Sequence, residues 1–536
     1  MCAAATSTIP FGKHYDVAIV GYGPVGVTLA GLLGRYGLSV AVVEKSREIF
    51  AQPRAVGFDH DAMRIFQRIG AAEALAPHIA PFRDAEYFGI GGRLIQRVRR
   101  IPPPYPLTWE PNYTCDQPGI ESVLRAAVAA FPGVDVALGC ELDGFTDEGG
   151  RVRLGLRGDD GEVSSCSASY VVACDGASSP VRRKLGIELE SFDYDVPWIV
   201  VDVIVKDEFL AQLPTTNVQY CQPERPSTFI TCPGNHRRWE FMTLPGEPAS
   251  GEVTEDRLWR LLSRWLKPGQ ARIWRAAAYE FHALVARDWR HGRVLLAGDS
   301  AHMTPPFLGQ GMCQGLRDAG NLAWKLERVL RGGVDACLLD TYTLERRPHV
   351  VETTRRAKEF GRIISERDEA LAQARDTRML EEGAGAPRLL YRQELIPGLT
   401  TGLVSMGAPL AGKVFPQPLV SRPGADSILF DDLTEPAWRL VVSSAATAAD
   451  QRSLLAFAGE HHVQAILLGA DGETADDVIS VSEEEGLLAR WLAADGCIGA
   501  LVRPDHYVFG GFVTPAGAQE LLCEWAAGPA NGSRPG

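Results

Sequence analysis

The sequence predicts an α/β protein in which a Rossmann-like nucleotide-binding unit is interrupted by a strand-rich insertion and followed by a smaller α/β region. Three observations carry this prediction. Tyr15-Asp-Val-Ala-Ile-Val is a short apolar strand that runs into Gly21-Tyr-Gly23-Pro24-Val25-Gly26 and a helix of small residues, and Val40-Ala-Val-Val-Glu44 follows as a second strand ending in an acid. Two later apolar stretches end in the same kind of turn, at Asp175-Gly176 and at Gly298-Asp299. Between those two, residues 196–285 switch to the period-two pattern of sheet.

In the first turn Gly21 permits the tight bend, Gly23 lets a pyrophosphate approach the backbone, and Gly26 lets helix and strand pack closely. The helix N-terminus then presents free N–H groups to phosphates, and Glu44 stands where it can accept from ribose hydroxyls.

The whole chain bounds the reading. Its 536 residues exceed one hydrophobic core, so two to four domains are expected. With 46% hydrophobic and 23% charged residues it is globular, and no apolar run reaches the length of a membrane span. A net charge of −13 argues against nucleic acid as a partner. Met1 to Pro10 lack the basic region and apolar core of a signal peptide, so a cytoplasmic location is expected. The 11 cysteines form no CxxC and no His/Cys cluster, which predicts reduced thiols and no metal site. Cys174, in Val171-Val-Ala-Cys174, reads as a small buried hydrophobe.

Taken in order, Gln52-Pro-Arg54-Ala-Val-Gly57-Phe-Asp59-His60 leads into a helix with Met63, Phe66 and Ile69 on one face. A proline-bearing loop at 101–118 enters another helix at Gln117-Pro118. Strands are expected at Val134–Leu138, Arg151–Leu156 and Ala168–Cys174, then at Trp198–Val205, Asn217–Tyr220, Ser227–Thr231 and Arg237–Leu244. Thr254–Lys267 and Leu316–Leu330 read as helices, and 340–385 as charge-rich helix with salt-bridged solvent faces. The boundaries that follow are a discontinuous nucleotide-binding domain at 1–195 and 286–385, the sheet insertion at 196–285, a Gly- and Pro-rich linker at 386–424, and a small α/β domain at 425–536.

The three strand ends point to one extended cofactor, because ligands of doubly wound sheets sit outside the carboxyl ends of the strands. At this point Gly21-x-Gly23-x-x-Gly26, Asp175-Gly176 and Gly298-Asp299-Ser-Ala-His302-x-x-Pro305-Pro306-x-x-Gly309-Gln310-Gly311 resemble the flavoprotein aromatic monooxygenases of the p-hydroxybenzoate hydroxylase fold. Gln52–Asp59, Arg238–Met242 and Gly311-Met312-Cys-Gln-Gly315 are similar to the 3-(3-hydroxyphenyl)propionate hydroxylase branch. The resemblance covers about residues 15–360. It implies a Rossmann-like FAD-binding domain, an inserted β-sheet substrate domain and a C-terminal thioredoxin-like domain, here without the CxxC of an active thioredoxin.

Carried over by motif, the FAD contacts implied are Gly21, Gly23, Pro24, Val25, Gly26, Glu44 and Lys45 for the adenosine end, with Leu142 near the adenine, and Arg54 and Gln117 along the pyrophosphate and ribityl region. Gly298 and Asp299 follow at the ribityl, with Pro306, Gly309, Gln310, Gly311 and Met312 under the reactive ring. Asp175 and Gly176 belong to the motif the family associates with both flavin and reduced nicotinamide, with a plain capping role for Asp175 open beside it. The implied chemistry is reduction of FAD by NADH or NADPH, reaction with O2 to a C4a-hydroperoxide, and transfer of one oxygen to a phenol. A base within reach of the phenol is then expected. Asp59, His60, Tyr220 and His282 are candidates by location, and Arg238, Phe241 and Pro305 are candidates for substrate contact. His302 reads as structural.

The substrate expected is 3-(3-hydroxyphenyl)propionate or a similar phenolic acid, acted on by a monomer or homodimer. A hydroxylase of larger polyketide-type aromatics, and a flavin-binding sensor or scaffold without turnover, stay open beside it. A halogenase is disfavoured, because Trp198-Ile-Val-Val-Asp does not supply WxWxIP.

Overall fold

Val17, Ala18, Ile19 and Val20 follow one another without a polar residue because the strand they form is covered on both faces. This strand, β1 (His14–Val20), feeds helix α1 (Pro24–Arg35) and returns as the parallel strand β2 (Val40–Glu44). The computed structural model describes residues 9–248, 251–422, 424–434, 436–461, 463–469 and 478–528; residues 1–8, which the signal-peptide reading used, lie outside these.

By contacts the chain divides into two compact units, Met1–Ile101 with Glu110–Arg317 and Val350–Ile396, and Pro102–Trp109 with Asp318–His349 and Pro397–Gly536. In the first, β1 lies between β2 and Val163–Ala173, and Val294–Leu296 adds beyond the latter, all parallel. Register pairs Val20 with Ala173, and Ala173 with Leu296. The Gly21, Asp175 and Gly298 turns therefore begin side by side at one end of the sheet.

The first unit also holds a nine-stranded sheet. His236–Met242, Ser227–Thr231, Asn217–Tyr220 and Ala85–Phe88 are consecutive neighbours in it, with Leu189–Val205 and Ala271–Ala286 on one side and Leu94–Arg99 and Arg388–Tyr391 on the other. The sheet thus also takes strands from outside residues 196–285. Its two faces differ by the period-two rule. Trp239, Phe241, Phe229, Val218 and Tyr220 turn to an apolar core with Leu258, Leu262 and Leu266 of the helical segment that follows. The alternate residues turn to a cavity described below.

The second unit carries a seven-stranded sheet with the helices Ala448–Glu460, Leu487–Ala494 and Pro515–Ala527. Buried within this unit, Glu345 Oε2 accepts from Lys325 Nζ at 2.6 Å and Arg503 Nη2 at 2.7 Å. Arg346 pairs with Asp318 at 2.9 Å. The arginines expected on solvated faces thus include one, Arg346, that is fully buried and paired. Among the described residues no helix is long and apolar enough to cross a membrane.

Candidate active site

Two cavities of the first unit meet at Arg54, which lines both. The larger, about 280 Å³, opens at the ends of the parallel strands. Gly21, Gly23 and Pro24 reach it from the first turn, and Glu44 and Lys45 from the end of β2. Gln117, Leu142, Asp175 and Gly176 complete the sequence-named residues along it.

Its chemistry fits a dinucleotide. Helix α1 starts behind Gly23 with Pro24 in its first turn and no side-chain cap, so first-turn N–H groups are left for phosphate oxygens. A Cβ added at Gly23 or Gly176 would meet nothing within 4 Å, whereas one at Gly26 would lie 2.0 Å from the Gly21 carbonyl. Open space lies where a phosphate needs it, and tight backbone contact lies behind. Asp175 Oδ1 is buried with no partner among the described residues, and burial pushes its carboxyl up. Glu44 is held in place by the N–H groups of Tyr22 and Ser46, each at 2.8 Å. Gln117 Oε1 accepts from the N–H of Arg54 at 3.1 Å and of Ala55 at 2.6 Å, which fixes the loop that follows β2.

Val25, Gly26, Gly298 and Asp299 do not line this cavity. Val25 packs where added Cβ atoms at Gly298 and Gly315 would come to 2.9 and 2.5 Å from its Cγ2, so both glycines allow the first turn and the helix Gly311–Leu330 to approach. Asp299 is exposed at the strand end. Cys174 is not the buried strand residue expected; it follows the strand and lines the cavity.

The second cavity, about 190 Å³, lies between the nine-stranded sheet and the loop running from Thr304 to Met312. Cross-strand pairing sets two rows on its floor. Glu240, Thr228, Gln219 and Tyr87 are successive partners, and so are Arg238 and Ile230, with Asn217 and Ala85 next in line. Pro306, Gly309, Gly311 and Met312 line it from the loop, with Phe307 locked against Trp198 at 5.6 Å and Phe281 at 5.8 Å between ring centroids.

The charged groups here have different commitments. Arg238 donates to Asp202 at 2.7 and 2.9 Å and to the carbonyls of Arg54 and Pro53 at 2.8 and 2.9 Å. It is therefore not open to a substrate; it clamps the 51–57 loop to the sheet, helped by Arg275 on the Pro53 carbonyl at 2.7 Å. Glu240 is 5% exposed and makes no side-chain hydrogen bond among the described residues; Arg238 Nη1 stands 4.0 Å away. Burial pushes the Glu240 carboxyl up, against the pull of Arg238.

The named base candidates lie elsewhere. Asp59 caps the helix His60–Arg68 through the Ala62 N–H and accepts from Gln310 Nε2 at 3.0 Å and Arg317 Nη2 at 2.6 Å. Burial would raise its carboxyl, but Arg317 and these bonds outweigh burial and hold it below the usual range. Gln310 is spent in the same network, since its Oε1 accepts from Arg317 Nη1 at 3.0 Å. His60 does not line the cavity, and burial lowers its pKa. Tyr220 and Phe241 sit on the other face of the sheet, where Tyr220 accepts from Trp265 Nε1 at 3.1 Å. His282 pairs with Asp195 at 2.6 Å outside the cavity, and His302 is buried and stacks on Trp289 at 5.2 Å. Pro305 is buried between two residues, Thr304 and Pro306, that line it.

Glu240, Gln219, Thr228 and Tyr87 were missed as site residues. The alternation in Asn217–Tyr220 and His236–Met242 could have found Gln219 and Glu240, once Trp239 and Phe241 were assigned to the core face. Arg392 also lines the cavity, from a segment the sequence reads as linker, and no pattern marked it.

Residues 14–357 match the FAD binding domain family, and residues 412–527 match the HcaD C-terminal domain. The chain is 36% identical over 508 residues to a probable NADH-specific resorcinol 4-hydroxylase of Rhodococcus jostii (strain RHA1), covering 93% of this chain and 92% of that protein. It is 34% identical over 515 residues to 3-(3-hydroxy-phenyl)propionate/3-hydroxycinnamic acid hydroxylase 2 of Burkholderia vietnamiensis (strain G4 / LMG 22486), covering 92% and 93%. Among solved structures, aklavinone-11 hydroxylase in a ternary complex with FAD and aklavinone shares the fold, with a TM-score of 0.77 at 24% identity over 98% of this chain and 100% of that one. The flavin-dependent monooxygenase PieE, with FAD and substrate, gives 0.75 at 19% over 96% and 99%. On the family match and the two hydroxylase relatives, the chain belongs to the FAD-binding-domain family of flavin-dependent aromatic hydroxylases.

Proposed function

We propose that this protein hydroxylates a single-ring phenol, using NADH or NADPH and O2, so that phenol, NAD(P)H, H⁺ and O2 become the diol, NAD(P)⁺ and water. The observation that carries the reading is the cavity of about 190 Å³ with a polar floor. An apolar cavity of about 150 Å³ accepts benzene, so the space is of the size of one small ring, and its edge along Pro306–Met312 is shared with the reactive ring. That size favours a phenol or phenolic acid over a polycyclic aromatic. Both relatives' names describe a ring with a hydroxyl and a second group meta to it, which supports the same class.

FAD, when bound along the first cavity, supplies the activation of O2. Residues of this chain do the rest. The uncapped start of α1 and the Gly23 and Gly176 turns take the phosphates, and Glu44 and Asp175 accept from hydroxyls. The loop from Pro306 to Met312 and the start of the helix Gly311–Leu330 offer N–H donors to the reactive ring. Glu240 takes the phenolic proton on its carboxylate, since it is the carboxyl that lines the second cavity without a hydrogen-bond donor of its own. Phe307 and its aromatic neighbours keep water from the ring.

The C-terminal part of the second unit reads as thioredoxin-like. The order Gln464–Leu468, Arg439–Val442, Gly499–Val502, Val508–Phe512, with the first pair parallel and the others antiparallel, supports this. The turn Ser443–Thr447 before its first helix carries no cysteine, which supports a structural or dimerisation role over a redox one.

The test is a screen of resorcinol, 3-(3-hydroxyphenyl)propionate and larger aromatics for stimulated NAD(P)H oxidation, with product mass measured. A meta-substituted single-ring phenol gaining one oxygen is the expected result. Turnover of polycyclic aromatics alone would replace the substrate class, and no oxygenated product from any phenol would overturn the proposal.

A further inference from the structure

Arg54 and Arg392 line the second cavity with no acid paired to their guanidinium groups among the described residues; Arg54 is exposed, and Arg392 is the more enclosed of the two. It lines the cavity and lies over the Phe82 ring at 4.7 Å. Its Nη2 donates to the Leu308 carbonyl, within the loop that closes the cavity. Gly309, at φ +60°, is what permits this approach, because a Cβ there would lie 2.7 Å from Nη2. The Nε–H is buried and has no acceptor among the described residues. No carboxylate lies within ion-pair distance of Arg392 among those residues, whereas Arg238 and Arg317 are saturated by Asp202, Asp59 and Asp61. A partly buried cation with no counter-charge and a buried N–H without an acceptor is costly to maintain, and an anion brought to it offsets that cost.

We propose that Arg392 binds an anionic oxygen of the aromatic substrate, either a side-chain carboxylate or the ring phenolate, through its guanidinium. This rests on the reading of the second cavity as the phenol site. It also divides the cavity into a proton-accepting end at Glu240 and an anion-holding end beside Tyr87, three strands away across the sheet. The substrate class it selects is a phenol that carries or acquires one negative charge, in preference to a neutral aromatic.

The test uses binding, so it does not depend on turnover. Isothermal titration of the FAD-loaded protein at pH 8 compares 3-phenylpropionate (a carboxylate without hydroxyl), 4-nitrophenolate (a phenolate without carboxylate) and neutral anisole, in native protein and in Arg392→Gln. The expected result is that one anion or both weaken by at least tenfold while anisole changes less than twofold; whichever anion is lost names the source of charge. Should Arg392→Gln not fold, Arg392→Lys replaces it. That variant keeps charge but not the guanidinium, and an anion weakened threefold or more with anisole unchanged supports the assignment. The proposal is overturned if neither anion binds native protein, if both bind the variant as tightly as native, or if anisole weakens as much as the anions. Loss of FAD from the variant with anion binding unchanged would also overturn it, by giving Arg392 to the cofactor. A failed hydroxylation screen with anion binding lost in the variant would instead count against the proposed reaction alone.

Discussion

The two cavities of the first unit are built from different material. The dinucleotide cavity is a backbone structure, lined by the glycine turns at two neighbouring parallel strand ends, Gly21–Gly23 and Asp175-Gly176, and its side chains mostly orient those turns. The second cavity is a side-chain structure on one face of an antiparallel sheet, and its loop side alone repeats the glycine device. A backbone-made site tolerates few substitutions, because an added Cβ at Gly21 or Gly26 meets a backbone carbonyl at 2.3 or 2.0 Å and one at Gly23 or Gly176 takes up the open space of the cavity. A side-chain-made site keeps its shape while its chemistry is changed one residue at a time.

The largest effect should therefore come from the backbone site. In Gly26→Ala the added Cβ lies 2.0 Å from a carbonyl oxygen that cannot rotate away, so the turn that would hold the flavin must shift. The purified variant is expected to be colourless, with no flavin absorbance after reconstitution; a yellow, active variant would break the distinction between the cavities.

Asp59→Asn comes next, and it separates a structural carboxylate from a catalytic one. Removing a partner from a buried ion pair costs ~3–5 kcal/mol, and the low end applies because Asp61 still holds Arg317 Nε at 2.9 Å. The Asp59 pKa is lowered in the fold, so its contribution is present above the ordinary carboxylate pKa and is lost as pH falls through the lowered value. Denaturant unfolding should show native protein losing this contribution in acid, and the variant lacking that loss. A variant of native stability with hydroxylation abolished would return Asp59 to the chemistry.

Glu240→Gln tests the side-chain site. General-base loss of ~10²-fold in hydroxylation is expected, with flavin content and melting temperature near native. Burial raises the Glu240 pKa while Arg238 and Arg275 oppose the rise and Asp202 adds to it, so native hydroxylation falls as pH drops through that raised value. The variant should lose this acid limb. An unchanged rate and pH profile would remove Glu240 from the mechanism.

The smallest effect is assigned to Tyr220→Phe. Its hydroxyl meets Trp265 on the core face, so ~1 kcal/mol of stability is at stake and the ratio of product to NAD(P)H consumed should not move. A drop in that ratio would mean the sheet face was assigned wrongly.

This contrast also explains what the sequence disclosed. Gly21, Gly23 and Glu44 were legible because a nucleotide-binding turn has a fixed spacing, and register then sets the Asp175 and Gly298 turns beside it. Strands such as Asn217–Tyr220 were legible from alternation, but alternation does not say which face is wet. Choosing Tyr220 and Phe241 over Gln219 and Glu240 was a choice of face, and Trp265 and Leu262, distant in sequence, decide it. Asp59 looked like a base because its partner Arg317 lies far along the chain. Arg392 left no trace, since its role follows from what does not pair with it.

The central claim is that a flavin held in the first cavity serves oxygen insertion in the second. Its most direct measurement is turnover of the FAD-loaded protein with NADH or NADPH under ¹⁸O2, on a single-ring phenol that stimulates NAD(P)H oxidation. The account predicts one labelled oxygen in the diol product, with product formed nearly equal to NAD(P)H consumed. Unlabelled product, or reductant consumed only to hydrogen peroxide with every phenol, would contradict it.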